Sequence, residues 1–384
     1  MTSFLGYRRP DGRFGIRNQV AVLSVMDNTN PSAERIAAMV AGTVALTTPF
    51  GRGQIGADLE ITRRTLAGLA GNPNIAAVLV LSLSLDSAEP LATRIRATGK
   101  PVEMLGLQEQ GSALDLTMAG TRIAGRMVLE ASALSREVAP FRALSVGVEC
   151  GGSDATSGLA SNPAVGRFSD RLVDAGGTII LSEPAEFMGG EHLLAARAQN
   201  PEHAQKIVDM VQWFEDEAMR NGVDMRGTNP TPDNIAGGLT TLEEKSLGAI
   251  AKGGTRPIVD VVDYGEVPGK SGLVVMDTPS AACESMTGLA AGGCQIIIFS
   301  TGRGNAIGAP VAPTIKVTGN PVTAEAMGEN IDVDVSGILT GGEDLDAAGG
   351  RVWDRVQAIA GGMLTACEVF GEEQLSVSRF GRSV

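Results

Sequence analysis

An α/β fold of two domains, with mainly parallel sheets flanked by helices in a Rossmann-like arrangement, is predicted by three features of the sequence. Short Val/Ile/Leu/Ala runs alternate with helical stretches, as strand–helix–strand units require. Glycine supplies 50 of 384 residues and aromatics only 4%, which suits many tight turns and helices packed on aliphatic strands. A chain of 384 residues also exceeds one small core and suggests about two domains.

The elements follow in order. Residues 20–25 predict a first strand with a helix from Pro31, residues 75–83 a second with a helix from Ala88, and residues 102–107 a third. A long helix then reaches about Val138. Ala139-Pro140-Phe141 interrupts it before a fresh apolar run, so the expected division is 1–139, an N-terminal α/β domain, and 140–384, a C-terminal α/β domain carrying the main site motifs. Strands are expected there over residues 143–148, 178–181, 258–262, 273–276 and 295–299. Ile207, Val211, Phe214 and Ala218 share one helical face, which reads as plain core packing, and Asn221-Gly222 stops that helix.

Composition excludes several classes. Lys plus Arg number 31 against 44 Asp plus Glu, a net charge of −13 that repels phosphate backbones, so no nucleic-acid partner is expected. No apolar run approaches the ~20 residues that span a bilayer, and residues 1–18 lack a secretory core, so a cytoplasmic protein with no membrane partner is expected. The four cysteines, Cys150, Cys283, Cys294 and Cys367, have no C-x-x-C spacing and are read as reduced thiols. Only His192 and His203 are present, which rules out a three-histidine metal site within one subunit. Neither a phosphate-binding G-x-x-x-x-G-K-[ST] loop nor a G-x-S-x-G elbow occurs.

Four strand-like runs of the second domain end in chemically rich turns, at residues 149–154, 182–186, 277–280 and 300–305. In a parallel sheet these turns share one edge. Any one could merely cap a helix, but all four together point to a ligand crevice. The richest holds Cys150, Ser153 and Asp154. Gly189-Gly-Glu-His192 opens a short helix that could direct Glu191 or His192 inward, beside Glu186. A divalent metal site on Cys150, Glu186, Glu191 and His192, or an acid/base pair, is one reading; an N-terminal helical Glu with a hydrogen-bonded His is the other. Thr240 or Thr241 with Glu243 or Glu244 forms a capping box that leaves Lys245 unexplained, free to meet a substrate carboxylate or solvent. Lys252, Lys316 and Arg303 are further candidate cations. Arg8, Arg9, Arg13 and Arg17 cluster near the N-terminus as either a solvated arm or a cleft for a small dianion. Phe50-Gly-Arg-Gly-Gln54, with Asp58, Arg63 and Arg64 behind it, exposes a second Gly-Arg-Gly.

Several long motifs in one order resemble the altronate and galactarate dehydratase family: G-Y-x-R-x-D-G-R-x-G-x-R-N at 6–18, N-P-N at 72–74, C-G-G-S-D-x-x-S-G at 150–158 and G-G-E-H at 189–192. G-G-L-T-T-x-E-E-K-x-L-G at 237–248, M-D-T at 276–278 and T-G-x-G-N at 301–305 complete the pattern. Residues 50–60, 157–163 and 331–337 look most like a branch of that family that expels sulfite from (2R)-3-sulfolactate to give pyruvate. Where the sugar-acid dehydratases have Gly-Cys-Gly and Gly-Cys-Glu turns, this chain reads Gly51-Arg-Gly53 and Ser84-Leu-Asp86. The resemblance implies a divalent metal, Fe²⁺, a separate small (alpha, SAF-like, β-rich) subunit and an oligomer acting on a small anionic hydroxy acid.

Dehydration and desulfonation share C2 proton removal and differ in what leaves C3. Sulfite leaves as a stable anion and chiefly needs cationic recognition. The expected substrate set is therefore Arg52, aided by Arg17 or Arg63, with Ser153, Arg303 and Asn305, while Cys150, Asp154, Glu191, His192 and Lys245 act at C2. The C2 base stays open among His192, Glu191, Lys245 and a metal-bound water. A sugar-acid dehydratase giving a 2-keto-3-deoxy acid and a non-catalytic acid-binding or scaffold subunit are the alternative functions.

Overall fold

The computed structural model describes residues 3–384; Met1 and Thr2, inside the expected N-terminal domain, lie outside them. The chain opens with strands β1 (Ser3–Arg8) and β2 (Phe14–Gly15), which pair antiparallel. Four parallel strands follow, β3 (Gln19–Ser24), β4 (Thr43–Leu46), β5 (Ile75–Ser82) and β6 (Val102–Gly106), in the order β4-β3-β5-β6. β7 (Glu137–Pro140) then returns antiparallel to β1. The second domain is built on seven parallel strands: β8 (Ser145–Cys150), β9 (Thr178–Leu181), β10 (Ile258–Val262), β11 (Leu273–Met276), β12 (Ile296–Ser300), β13 (Thr314–Thr318) and β14 (Val333–Asp334). Their order is β10-β11-β9-β8-β12-β13-β14. Strand order reverses around β8, whose neighbours β9 and β12 lead to opposite halves of the sheet.

Every residue of β5, β9, β11, β12 and β13 is buried, as parallel strands covered by helices on both faces demand. One core lies beneath the helices Asn162–Asp174 and Leu345–Ala360, where Trp353 packs 4.5 Å from Phe141 and 6.0 Å from Phe168 between ring centroids. A second joins the two large sheets, with Leu66 and Leu69 of the helix Gly56–Gly71 against Leu289 and Ala290 of the helix Ala282–Ala291. A third fills the space between the four-stranded sheet and the helices Asn30–Met39 and Ala113–Ser132. No helix among the described residues is long and apolar enough to cross a membrane.

The N-terminal motifs prove to be clamps. Asn74 accepts from the Ile16 amide at 2.8 Å and donates to the carbonyls of Gln295 and Val311, both at 2.9 Å, while Asn72 donates to those of Ala290 and Cys294. The Asn-Pro-Asn turn thus stitches the first sheet to the second. Arg9 holds the carbonyls of Pro73 and Arg17. Arg17, expected to bind substrate, instead grips both carboxylate oxygens of Glu368 at 2.6 and 2.8 Å and three backbone carbonyls. Arg9 and Arg17 are thus buried against carbonyls and Glu368 and Arg13 pairs with Asp11, while Arg8 alone of the four is exposed.

The sequence-based elements differ from the structure where tertiary pairing decides. The long helix ends at Ser132, short of Val138, because residues 137–140 pair with β1. Accordingly β7 straddles residue 139, at the expected division. β4, the helix Gly56–Gly71 and β13 have no expected counterpart; β13, Thr-Ile-Lys-Val-Thr, reads as polar and is wholly buried. Replacing Arg17 by alanine removes the ion-pair partner of the half-buried Glu368 carboxylate and should lower unfolding free energy by about 1–3 kcal/mol in denaturant titration.

Candidate active site

The turns after β8, β9 and β11 meet at one edge of the seven-stranded sheet, where the strand-order reversal of an open parallel sheet leaves a crevice. Cys150, Gly151, Gly152 and Ser153 enter from β8, Glu183 and Glu186 from β9, and Ser280 from β11. Asn229, Thr231, Asn234 and Lys245 complete the lining of a cavity of about 420 Å³. The fourth turn, after β12, supports from behind: the amides of Gly302 and Arg303 donate to the Gly152 carbonyl at 3.2 and 2.8 Å.

Two lysines organise this wall. Lys252, with no exposed surface, donates to the Cys150 sulfur and to Glu183 Oε2, both at 3.1 Å. Glu183 also accepts from the Cys150 amide at 3.0 Å, and its own amide donates to Thr278. Its φ of +69° is the single positive value outside glycine among the described residues, a left-handed conformation that a glutamate adopts only when its surroundings impose it. Burial opposes the Lys252 ammonium, yet Cys150 and Glu183 in contact with it outweigh that and raise its pKa. Burial pushes the Cys150 thiol up to about 12, so at neutral pH the thiol is protonated and Glu183 is the counter-charge of Lys252. Leaving either ion unpaired would cost several kcal/mol, so the pair stands or falls together. Glu149, behind it, accepts from Ser182 and Ser285, and burial followed by the Glu183 charge raises its carboxyl well above the usual range.

Lys245 donates to Glu186 Oε1 at 3.0 Å and to Asn229 Oδ1 at 2.7 Å. The other Glu186 oxygen, Oε2, is buried without a partner. Burial raises this carboxyl above its ordinary pKa, and the Lys245 charge only partly offsets that. The helix Leu242–Ile250 that delivers Lys245 is capped by Thr241, which accepts from the Glu244 amide; Glu244 reaches past it to accept from the Thr240 amide and hydroxyl, so the expected capping box does not close.

Of the expected site residues, Cys150, Ser153, Glu186 and Lys245 share the cavity. The others lie elsewhere. His192 is exposed on the five-residue helix Glu191–Ala195, and Glu191 lines a separate cavity with Glu243 and Arg226. Asp154 is buried, with Oδ1 accepting from Thr156 and Ser157 and Oδ2 from Asn320, so its carboxylate fixes the turn. A side chain at position 302 would overlap that carboxylate. Arg52 is exposed and Arg63 half-buried on the first domain, and neither lines the cavity. Arg303 projects into solvent, and Asn305 accepts from the Ile307 amide. Glu183 was not singled out from the sequence and Lys252 was named only as a cation; a lone lysine in Gly248-Ala-Ile-Ala-Lys-Gly-Gly254 was the available signal.

The implied divalent metal does not fit these residues. Cys150 and Glu186 are each bound by a lysine ammonium, and no group of three His, Cys, Asp or Glu able to hold a metal occurs among the described residues. The set Cys150, Glu186, Glu191 and His192 is divided among a cavity wall, a second cavity and the open surface.

Comparison with known proteins places this edge in a family. Residues 141–383 match the family described as D-galactarate/altronate dehydratase, C-terminal, and residues 6–132 match the second domain of D-galactarate dehydratase/altronate hydrolase. The chain belongs to the galactarate/altronate dehydratase family. Within it, the subunit beta of (2R)-sulfolactate sulfo-lyase from Chromohalobacter salexigens is 43% identical over 99% of this chain and 98% of its own length. An altronate dehydratase of Bacillus subtilis is 35% identical over 86% of this chain and 68% of its own length. That of Escherichia coli is 32% identical over 98% and 77%. These family members are lyases, and the present chain is a lyase of the galactarate/altronate dehydratase family.

The protonated state of Cys150 has a direct readout. At pH 8 iodoacetamide should label it more than about 100-fold more slowly than an ordinary thiol of pKa ~8.5, followed by peptide mapping, with the rate still rising above pH 10.

Proposed function

We propose that this chain is the large subunit of a carbon–sulfur lyase that expels sulfite from (2R)-3-sulfolactate and yields pyruvate, with the cavity at Cys150, Glu186 and Lys245 as its reaction site. The observation that carries the chemistry is the Glu186 carboxylate, which is buried, keeps Oε2 without a partner and lies against the Lys245 ammonium on a cavity wall. A carboxylate held above its usual pKa and poorly solvated is a stronger base toward a carbon acid. The substrate carboxylate meets Lys245, so negative charge developing at C1 and C2 is balanced as Glu186 removes the C2 proton. The electron pair then forms the C2–C3 double bond, and the C3–sulfur bond breaks with its electrons on sulfite.

The choice of leaving group is supported by the sulfo-lyase relative, matched over nearly the whole of both chains. Because that relative is named a subunit beta, a separate small subunit is proposed as this chain's partner. Arg52, exposed on the first domain, does not line this cavity. Hydroxyls and amides on the cavity wall, from Ser153, Thr231 and Ser280, are the donors this chain presents to the sulfonate. A hydro-lyase acting on a sugar acid is the second reading, favoured by the dehydratase relatives.

The purified chain, assayed with and without its small subunit, should release sulfite and pyruvate in equal amounts from (2R)-3-sulfolactate; keto acid formed from altronate or galactarate without sulfite selects the second reading. Glu186→Gln should reduce kcat/KM by about 10²–10⁴-fold. The wild-type rate should fall as pH drops through the folded-state pKa of Glu186. That acid limb lies above the ordinary carboxylate range because burial raises this group, and it should vanish in Glu186→Gln.

A further inference from the structure

The elimination proposed above leaves an enol whose C3 must still gain a proton, and Glu186, holding the C2 proton, accounts for only one half of that chemistry. On the same cavity wall stands Cys150, whose sulfur accepts the Lys252 hydrogen bond at 3.1 Å. Lys252 is sealed from the cavity, is neutralised by Glu183 at 3.1 Å and takes no direct part in binding. Its ammonium nevertheless sits where it stabilises a thiolate formed for a moment at Cys150. A second feature marks the space in front of the thiol as a reaction site. Glu186, about nine-tenths buried, leaves Oε2 unpartnered on the same wall, and its charge is near enough to bear on the thiol.

We infer that Cys150 is the acid that protonates C3 of the enol product, with Lys252 and Glu183 as positioning residues behind it. The inference rests on the lyase reading of this cavity. In the step, the Cys150 S–H bond breaks and a C3–H bond forms from the enol π pair. The C2 oxygen becomes a carbonyl as its hydroxyl proton passes to the departing sulfite, giving bisulfite. The thiolate, held by the Lys252 ammonium, regains a proton from water and Glu186 gives the C2 proton up to water before the next turnover, so the hydron that C3 gains comes from solvent. Atoms and charge balance without a further reactant: the sulfolactate dianion gives pyruvate and bisulfite. Glu186 and Cys150 thus divide the two proton transfers between two groups of one cavity.

The test uses (2R)-3-sulfolactate carrying one deuterium of defined configuration at C3, turned over in tritiated water by the complex of this chain with its small subunit. Wild type should give pyruvate with a methyl group of one handedness. Cys150→Ala should release enol that ketonises in water, giving both hands equally, while sulfite release falls far less than the 10²–10⁴-fold expected for loss of the base. Cys150→Ser, which restores a donor, should recover a one-handed methyl. A one-handed methyl from Cys150→Ala overturns the assignment, as does a wild-type product of mixed handedness. Loss of all sulfite release in Cys150→Ala with an unchanged melting temperature overturns it too, by placing the thiol before elimination. Absence of sulfite from the wild-type complex sinks the reaction itself, and is seen before any variant is made.

Discussion

A single ammonium beneath the sheet edge governs this site. Lys252 has no exposed surface and meets Cys150 and Glu183 at 3.1 Å each, so its charge must be answered locally. Glu183 supplies the answer, and to do so it adopts a backbone conformation that glutamate otherwise avoids. The turn after β9 therefore has its shape set by an electrostatic requirement, and Glu186, three residues on, is presented to the cavity by that same turn. Removing water from both ions makes the pair costly to break and rigid as long as it holds.

The scaffold that delivers these turns is tied together by polar groups more than its aliphatic composition suggests. Asn72 and Asn74 saturate four carbonyls of the second domain from one turn of the first, and Arg9 and Arg17 close the remaining gaps. Each buried hydrogen bond contributes only about 1 kcal/mol net, but an unmatched carbonyl in the same place costs more. The N-terminal motif thus serves register between the sheets, which keeps the reaction edge of the second domain in a fixed frame.

Within the cavity two carboxylates meet two lysines in different ways. Glu183 is fully committed to Lys252 and the Cys150 amide, whereas Glu186 keeps one oxygen free. One pair is built for structure and the other retains a basic lone pair. The same comparison explains why a metal is a poor occupant here: Cys150 and Glu186 each already face an ammonium, and a divalent cation would have to displace it.

Strand–helix alternation and glycine content were enough to read the class of fold, since parallel strands buried on both faces must be apolar throughout. The convergence of the β8, β9 and β11 turns was legible too, because parallel strands put their carboxyl ends on one side. Cys150, Ser153, Glu186 and Lys245, singled out for their chemistry, do line one cavity. Three-dimensional placement decided the rest. The arginines of residues 9–17 look like an anion site in one dimension and are consumed by carbonyls and Glu368 in three. His192 and Glu191 sit next to the right turn in sequence, yet a short helix points them elsewhere. Lys252 comes from a segment about 100 residues beyond Cys150 and meets it only through the packing of the helix Asn162–Asp174 and its neighbours. Local pattern determines which residues can react and along which edge they lie. Which of them face one another is set by long-range packing, because a side chain's direction depends on contacts that sequence spacing does not encode.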